Sequence, residues 1–500
     1  MAATKSVCIV GGGTSGMIAA LMLQRAYPQM KVTIIESSKI GIVGVGEGST
    51  EHWRFFINYV DIKLHELFTE TDATFKIGIK FSNWHGDGTH YFHSLLSDYG
   101  GADRFNGLHF TWLRMIGEQW PPLKTLGYGS QNSRHYEPLH DNINQFHFDT
   151  HKLNNFLHKK CKERNIEIYD DVISQVEIDN DGFIKHLIGE QQNIYSSDMY
   201  IDCSGFKRLL INKLGAKWVD KSEYLPMNSA IAFPTGYVEN IPSFTEATAL
   251  SSGWSWRIPT QERFGNGYVY CDSFINDTNA VAEISSHYQT KLQIDNIEVG
   301  KKFKFTAGHV DKFWIKNCVA IGLSGIFVEP LEASSIGTTI QQCANLISVL
   351  QFYSKDQEHT ANRYNAIMTQ VCENIVDFIQ LHYFTQRDDT EFWRWCKHSL
   401  KKTDFNKENL SYFQKNNVDQ NFFREPLLLF KHLNFMQVMH GLRLLDGEHS
   451  LSVYNYHCKT EYDNHIEKML VLDGELSGSV PHRECIKILQ DRRPFTEYKL

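Results

Sequence analysis

The 500-residue sequence lacks the features that mark several classes of protein. Its ten cysteines include no C-x-x-C pair, which argues against a disulfide scaffold or a zinc ribbon and predicts reduced, mostly buried thiols. Glycine (34) and proline (12) are too few for a collagen-like or low-complexity chain. No apolar run is long enough to span a bilayer. We expect a soluble, cytoplasmic protein with no metal site.

Positive charge is not in excess either. The chain has 50 basic and 58 acidic residues, a net charge of −8, so neither nucleic acid nor a membrane surface is an expected partner. Aromatic residues are abundant at 13% of the chain. Such a content leaves aromatic surface beyond the needs of the core, and pockets that hold flat ligands use it.

The first 36 residues predict a βαβ unit. Ser6–Val10 forms an apolar strand, residues 11–16 read GGGTSG, residues 17–25 favour a helix, and residues 32–35 form a second strand ending at Glu36. A glycine-rich turn is the plain alternative, but strand, helix and acid in register favour dinucleotide binding. The residues expected to contact the dinucleotide are Gly11, Gly13, Thr14, Ser15, Gly16 and Glu36.

Each part of this unit has a physical role. Gly11 allows the tight turn, Gly13 lets the backbone approach a pyrophosphate, and Gly16 lets the helix pack against the strand. The N-terminus of the helix offers free N–H groups to the phosphates, and Glu36 accepts hydrogen bonds from a ribose. The motif alone leaves NAD and FAD open.

Three later segments favour FAD. Residues 171–187 predict a β-hairpin around Asp181 and Gly182. Residues 199–202 and 318–321 predict strands that run into small residues, CSG and GLSG. Each strand alone is compatible with an ordinary core, but an extended FAD needs several strand ends to meet it.

Three further segments combine polar and aromatic residues. Residues 75–81 alternate as one strand, which puts Lys76 and Lys80 on one face, either as solvated side chains or at a reactive site. Trp254 and Trp256 share a face of an extended segment, either as part of a functional site or as two ordinary core tryptophans. Residues 327–337 predict a loop that leads into a helix. The N-terminus of that helix can hold a small anion, and plain capping by its serines is the alternative.

These motifs resemble those of the flavin-dependent halogenases, typified by the tryptophan halogenases, along nearly the whole chain. The tryptophan element with the lysine and the EPLE loop is the most specific part. The residues that carry the resemblance are residues 11–16, 44–50 (GVGEGST), Lys80, residues 202–206 (DCSGF), 254–259 (WSWRIP), 317–322 (NCVAIG), 329–332 (EPLE), Asp377-Phe378 and His382-Tyr383.

The resemblance implies a two-component reaction. A separate flavin reductase supplies FADH2, which with O2 oxidises a bound halide (chloride, bromide or iodide) to hypohalous acid. The oxidant passes through an internal tunnel to Lys80, where a small aromatic substrate attacks the halogen. Glu332 matches the second catalytic residue of the family, an acid that pairs with the lysine and helps to remove the substrate proton.

The resemblance also assigns binding roles. Trp254 and Trp256 separate the substrate from the flavin, Ser334 and Ser335 bind the halide, and His93 with Leu95 contacts the substrate. The further flavin contacts are Glu47, Gly48, Val172, Leu323 and Ile336.

Two departures from the family pattern bear on specificity. The residues after Glu332 read Ala333-Ser334-Ser335 where many tryptophan-specific members read S-T-G, which leaves open whether chloride is the preferred halide. Leu95 replaces a phenylalanine that forms one wall of the indole site. We therefore expect a free indole, a phenol or a larger indole-containing molecule rather than tryptophan.

The expected fold is α/β. Residues 1–350 would form a Rossmann-type, glutathione-reductase-like FAD-binding module with β-rich insertions at about 51–151 and 215–305, and residues 351–500 a mainly helical substrate cap. The alternatives are a single-component FAD aromatic hydroxylase and a catalytically silent flavin-binding protein. The sequence leaves the formation of a homo-oligomer open.

Overall fold

A computed structural model provides the fold. It describes residues 4–41, 47–76, 78–94, 132–133, 145–300, 302–353, 358–416, 423, 428–446, 448 and 480–491. The eight described cysteine side chains are free thiols, all buried except the half-buried Cys203. Among the described residues, no helix has both the length and the apolar character needed to cross a membrane.

The strands are short and lie mostly before residue 330. They are β1 Ser6–Val10, β2 Lys31–Glu36, β3 Glu47–Gly48, β4 Thr74–Lys76, β5 Gly78–Ser82, β6 His90–Ser94, β7 Asn132–Ser133, β8 Gln145–Phe148, β9 Glu167–Asp170, β10 Ile173–Ile178, β11 Ile184–Gly189, β12 Ile194–Tyr195, β13 Met199–Asp202, β14 Trp218–Asp220, β15 Ser229–Thr235, β16 Thr245–Ala249, β17 Gly253–Pro259, β18 Phe264–Tyr270, β19 Lys302–Lys304, β20 Gly308–Val310, β21 Trp314–Ile315, β22 Cys318–Ala320, β23 Ile326–Phe327 and β24 Val480–Pro481.

From Ser334 onward the described elements are helices, apart from β24. The helices of the described chain are α1 Thr14–Ala26, α2 His52–Tyr59, α3 Leu64–Glu70, α4 Thr150–Glu163, α5 Asp277–Leu292, α6 Ser334–Leu350, α7 His359–Leu381, α8 Glu391–His398, α9 Asp404–Lys415, α10 His432–Gly441 and α11 His482–Asp491. The division into an FAD module and a cap at residue 350 stays a prediction.

A six-stranded sheet in the order β21-β22-β13-β1-β2-β9 forms the nucleotide-binding core. Its strands are parallel except for β21. Strands buried on both faces need mostly apolar residues, and residues 7–10 of β1 and 199–201 of β13 are buried and apolar or aromatic. Helix α1 covers one face of this sheet and packs against α4 and α6. The predicted βαβ unit, the hairpin of β10 and β11, and the strands β13 and β22 are all present.

A second sheet has seven strands in the order β19-β15-β18-β17-β16-β5-β6. Strands β5 and β6 come from the first predicted insertion and β15 to β19 from the second, so the two insertions build one sheet. Its pairs are antiparallel except for β16 with β5. Strands β3, β8 and β4 form a separate small sheet. The chain therefore changes sheets between β4, which ends at Lys76, and β5, which begins at Gly78.

Candidate functional site

The glycine loop between β1 and α1 lies where the parallel strands end. Gly11 has a φ of +120°, and a Cβ there would lie 2.1 Å from the Cys203 carbonyl oxygen. A Cβ on Gly16 would lie 1.9 Å from the Gly11 carbonyl oxygen, whereas one on Gly13 would meet nothing within 4 Å. The loop is therefore closed toward the protein and open at Gly13, before the first residue of α1, Thr14. A phosphate can approach the helix N-terminus from that side.

Glu36 ends β2 beside this loop. One of its carboxylate oxygens lies 3.0 Å from Nε2 of His158 on α4. The other is so close to Gly12 that a Cβ there would be 2.0 Å from it. Glu36 therefore presents its carboxylate at the edge of the glycine loop, where a ribose next to the phosphates would lie.

A small cavity adjoins the loop and is bounded by the start of α6. Gly322 has a φ of +69°, and a Cβ on it would lie 2.3 Å from the Ser15 hydroxyl oxygen, so this turn requires glycine. The cavity brings together four residues predicted to contact flavin or halide. Its lining is Ser15, Gly322, Leu323, Ile326, Phe327, Val328, Ser334, Ser335, Thr338 and Thr339.

Helix α6 starts at Ser334 after an unusual residue. Ala333 adopts the left-handed conformation, with φ 53° and ψ 35°, which a residue with a Cβ seldom occupies. This turn separates Glu332 from the two serines: Glu332 is buried against other side chains, while Ser334 and Ser335 line the cavity. Four consecutive residues therefore connect the cavity to the buried acid.

The expected pairing of Lys80 with Glu332 is not what the structure shows. The Lys80 ammonium lies 3.4 Å from Oε1 of Glu246, its neighbour on the adjacent strand β16, and its side chain is 26% exposed. The prediction assumed one continuous strand over residues 75–81. Because the chain changes sheets between β4 and β5, Lys76 and Lys80 lie in different surroundings.

Lys76 is the lysine on which the charge of Glu332 acts. It is 1% exposed, and its ammonium donates a hydrogen bond to the Ser49 carbonyl oxygen at 2.9 Å. Burial lowers the pKa of Lys76 to about 8, although the charges of Glu332 and Glu51 act in the opposite direction. A Cβ on Gly48 would lie 3.3 Å from the lysine nitrogen, so glycine makes room for it.

Glu332 is fully enclosed and has a histidine on each carboxylate oxygen. Oε2 lies 2.8 Å from Nδ1 of His93 on β6, and Oε1 lies 2.8 Å from Nε2 of His382 at the end of α7. Burial alone would raise the pKa of Glu332, but the two histidines lower it to about 2. His93 therefore has its ring edge against the acid in this structure.

A second buried acid, Glu329, lies three residues before Glu332. Its Oε1 accepts hydrogen bonds from the Trp254 indole at 3.2 Å and from the Tyr383 hydroxyl. Its Oε2 has no hydrogen-bond partner among the described residues. Burial raises the pKa of Glu329 to about 8, and the two donors limit this rise.

Trp254 and Trp256 lie on one face of β17, as the i, i+2 spacing predicts, and both are buried. Their ring centroids are 6.3 Å apart. The Trp256 ring packs against Gly267, where a Cβ would lie 2.0 Å from it. The two indoles therefore form one wall between the second sheet and the EPLE loop.

Comparison with known proteins explains this combination of features. The tryptophan halogenase family model matches residues 6–455. The chain belongs to the tryptophan halogenase family. Two curated relatives are 30% identical: tryptophan 6-halogenase SttH from Streptomyces toxytricini, over 78% of this chain and 80% of its own length, and tryptophan 7-halogenase RebH from Lentzea aerocolonigenes, over 82% and 81%.

Solved structures agree with the family assignment. Xcc4156, a flavin-dependent halogenase from Xanthomonas campestris, is 28% identical and superimposes with a TM-score of 0.85 over 97% of this chain and 98% of its own. BrvH, a flavin-dependent halogenase from Brevundimonas sp. BAL3, is 26% identical with a TM-score of 0.83 over 97% and 99%. The predicted enzyme class, a flavin-dependent halogenase, and the predicted α/β fold with a Rossmann-type module are confirmed.

The residues present fit the FAD that this family uses. The glycine loop is open only at Gly13, Glu36 lies beside it, and the cavity lined by Ser15 and Leu323 continues from the loop to α6. A Cβ at Gly11 or Gly322 would collide with the cradle itself. Among the described residues, no group of three or more metal-ligating side chains converges.

Three further residues predicted to contact the flavin lie in the described part of the chain. Glu47 belongs to β3, and burial raises the pKa of its carboxyl to about 7. Ile336 is buried in the first turn of α6, and Val172, half-buried before β10, accepts a hydrogen bond from the Glu190 amide. Leu95 and residues 44–46 lie outside the described residues.

Sequence reasoning missed several residues of this halogenase site. Alternation puts Lys76 and Lys80 on one face, and the family resemblance assigns the reactive role to Lys80 alone, so only the change of sheet shows that their surroundings differ. His382 and Tyr383 were part of the family resemblance but had no role. The signal available for them was their adjacency at the end of a predicted helix, because neighbouring side chains can reach two acids three residues apart.

Proposed function

We propose that this chain halogenates an electron-rich aromatic substrate and that Lys76, not Lys80, is the lysine that holds the oxidant. One observation carries the proposal: a Cβ on Gly48 would lie 3.3 Å from the Lys76 nitrogen and 3.4 Å from the Cβ of Ala333, so the buried ammonium lies close to the residue that follows Glu332. The charge of Glu332 acts on this ammonium, and Ser334 and Ser335 continue from Ala333 to the flavin-side cavity. Lys80 has a carboxylate partner of its own and partial exposure, so it lacks this connection.

Lys76 has the properties that a hypohalous acid requires. A lysine with a pKa near 8 populates both its ammonium and its amine form around neutral pH. The ammonium donates a hydrogen bond to the oxygen of the oxidant and makes the halogen more electrophilic. The buried surroundings strengthen that interaction because little water competes for the donor.

Glu332 is the group that we assign to proton transfer with the substrate. It is ionised at neutral pH because two histidines lie against its oxygens. Its carboxylate opposes the positive charge that develops on the aromatic ring as the halogen is added. A weak base is sufficient, since such a cationic ring gives up its proton readily.

When bound, reduced FAD would activate O2, and O2 would be the oxidant that converts a bound chloride, bromide or iodide to hypohalous acid. Gly11, Gly13, Gly16 and Glu36 would hold the dinucleotide end of FAD. Ser334 and Ser335, at the N-terminus of α6, would hold the halide with hydroxyl and N–H groups. The wall formed by Trp254 and Trp256 would keep the aromatic substrate away from the flavin.

The substrate that we propose is a free indole, a phenol or a larger indole-containing molecule. The relatives SttH and RebH are named for tryptophan, but Leu95 replaces the aromatic residue expected in a tryptophan site. His93 supports the same view, because both of its ring nitrogens are engaged by Glu332 and Asn434. A separate flavin reductase is the partner that would deliver FADH2.

The test combines the protein with FAD, a generic flavin reductase, NADH and a panel of indoles, phenols and tryptophan, with chloride, bromide or no halide. Mass spectrometry reads the halogen isotope pattern. We expect halogenated indoles or phenols from the wild type and from Lys80→Ala, and none from Lys76→Ala, with FAD affinity equal in all three.

Lys76→Ala and Lys80→Ala form a matched pair, because they remove the same side chain from β4 and β5, two strands that are consecutive in sequence. Loss of halogenation in Lys80→Ala alone would reverse the assignment. Hydroxylated products without halide would identify a hydroxylase, and tryptophan turning over best by a wide margin would overturn the proposed substrate class.

A further inference from the structure

Both oxygens of the buried Glu332 carboxylate face imidazole nitrogens, and the other nitrogen of each imidazole determines where the protons lie. His93, Glu332 and His382 are all fully buried. Both distances between a histidine nitrogen and a carboxylate oxygen are 2.8 Å, so each is a hydrogen bond with a proton between the nitrogen and the oxygen. The two histidines are not equivalent.

His93 is a neutral donor. Its Nε2 lies 3.0 Å from Nδ2 of Asn434. The orientation of that amide is determined, because Oδ1 of Asn434 accepts a hydrogen bond from the Lys431 N–H at 2.8 Å. Nδ2 therefore donates to His93 Nε2, and the single ring proton of His93 is on Nδ1, where it points at Glu332.

His382 lies between two acceptors. Its Nδ1 is 3.0 Å from the carbonyl oxygen of Phe378, which can only accept, so Nδ1 carries a proton. Its Nε2 then faces Oε1 of Glu332, and a second proton must lie between these two atoms. Glu332 and His382 together therefore hold one proton more than a carboxylate and a neutral histidine.

The surroundings of His382 favour this extra proton on the imidazole. The residue caps the C-terminal end of α7, where the helix dipole stabilises a positive charge. Aromatic rings of Phe81, Trp84 and Phe378 enclose it, with centroids 4.9, 6.1 and 5.1 Å away.

We propose that His382 is a positioning residue of the halogenation reaction, which keeps one transferable proton on the Glu332–His382 pair. The inference rests on the proposed function. As the aromatic carbon attacks the halogen, the O–X bond breaks, its electron pair stays on oxygen, and that oxygen takes the pair's proton through Glu332 and leaves as water. The ring C–H bond then breaks, its electrons return to the ring, and its proton goes to the Glu332 carboxylate.

This sequence balances. The aromatic C–H and HO–X become the aromatic C–X and water, and the pair ends with the proton that it held at the start. The titratable side chains that interact electrostatically with Glu332 are Lys76 from β4, Tyr91 and His93 from β6, and His382 from α7. The Lys76 ammonium donates a hydrogen bond to the Ser49 carbonyl oxygen, whereas both oxygens of the Glu332 carboxylate face histidine nitrogens, so the hydrogen-bond partners of this carboxylate are histidines rather than the lysine.

The first test measures the proton directly in protein without cofactor. Nitrogen-15 NMR of labelled histidine reports whether His382 carries one or two ring protons, and the His382→Gln variant assigns its signals. We expect two N–H groups on His382 in the wild type, and only one in Glu332→Gln. A singly protonated His382 in the wild type would overturn the proposal without affecting the proposed function.

The second test separates oxidant formation from halogen transfer. A diffusible scavenger measures hypohalous acid, and single-turnover mass spectrometry measures halogenated substrate. His382→Gln keeps an N–H donor but cannot carry the extra proton, so we expect unchanged hypohalous acid and KM with a loss of about 10²-fold or more in the transfer rate.

The control is His309→Gln. His309 is a buried histidine that pairs with Glu373 of α7 and not with Glu332, so this variant should leave the rates of hypohalous acid formation and of halogen transfer unchanged. A His382→Gln transfer rate equal to wild type would show a structural role only and overturn the proposal. Absence of hypohalous acid from the wild type would instead refute the proposed function.

Discussion

The Tyr383 hydroxyl donates a hydrogen bond to Oε1 of Glu329, a carboxyl that is fully buried. Tyr383 follows His382 directly, and Glu329 lies three residues before Glu332. Two adjacent side chains at the end of α7 therefore bind the two acids of one loop. The acids differ in charge: two histidines keep Glu332 ionised, whereas Glu329 has only neutral donors and is protonated at neutral pH.

The protonation of Glu329 predicts a pH-dependent stability. Its pKa is raised from 4.5 in an ordinary setting to about 8 in the folded chain, so between these values the folded state binds more protons than the unfolded state. The free energy of unfolding should therefore fall as pH rises from about 4.5 to 8, by up to about 1.4 kcal/mol per pH unit from this group. Chemical denaturation at several pH values measures it.

Glu329→Gln supplies the comparison for that slope, because the amide keeps the acceptor for Tyr383 and Trp254 but does not titrate. The wild type minus variant difference should decrease steadily with pH over this window. A difference that does not change with pH would mean that Glu329 is ionised in the folded protein.

Lys76 predicts a pH dependence of halogen transfer. With a pKa lowered to about 8 by burial, its ammonium predominates below that pH and its amine above it. If the ammonium is the active form, the transfer rate should fall as pH rises through about 8, while formation of hypohalous acid does not follow the same curve. Stopped-time assays with a scavenger arm separate the two. A transfer rate that rises through this range would assign the reaction to the free amine.

Gly48 makes room for the Lys76 ammonium, and Gly48→Ala should test how closely that group is positioned. The added Cβ would lie 3.3 Å from the lysine nitrogen and 3.4 Å from the Ala333 Cβ, so the lysine must shift by a few tenths of an ångström. We expect halogen transfer to fall by up to about 10²-fold with little change in the free energy of unfolding. Unchanged transfer would indicate that Lys76 tolerates displacement and would weaken its assigned role.

Gly13 and Gly16 form a matched pair in the nucleotide loop. Gly13→Ala adds a methyl group to open space, so stability should stay within about 1 kcal/mol of wild type while FAD affinity falls at least about tenfold. Gly16→Ala places its Cβ 1.9 Å from the Gly11 carbonyl oxygen, so it should lower stability by about 1–3 kcal/mol. Flavin fluorescence titration and thermal unfolding provide the two readouts. Tight FAD binding by Gly13→Ala would indicate that the phosphates of FAD do not approach the chain at Gly13.

The sequence by itself determined the parts of this protein that depend on short-range pattern. The βαβ unit, the hairpin at Asp181-Gly182, the two tryptophans on one face and the unpaired cysteines follow from residues a few positions apart. The motifs also sufficed for the family. Local sterics and hydrogen bonding decide these features, and both act over neighbouring residues.

Only the tertiary structure decided the different surroundings of the two lysines and which side chains bind Glu332. The alternating pattern of residues 75–81 places Lys76 and Lys80 on the same face of a strand. The chain changes sheets between them because β4 pairs with β8, whereas β5 pairs with β16 and β6. Glu332 is 239 residues from His93 and 50 from His382 in sequence. No local pattern specifies such contacts, because they form only when β6, the EPLE loop and the end of α7 are packed into one dry core.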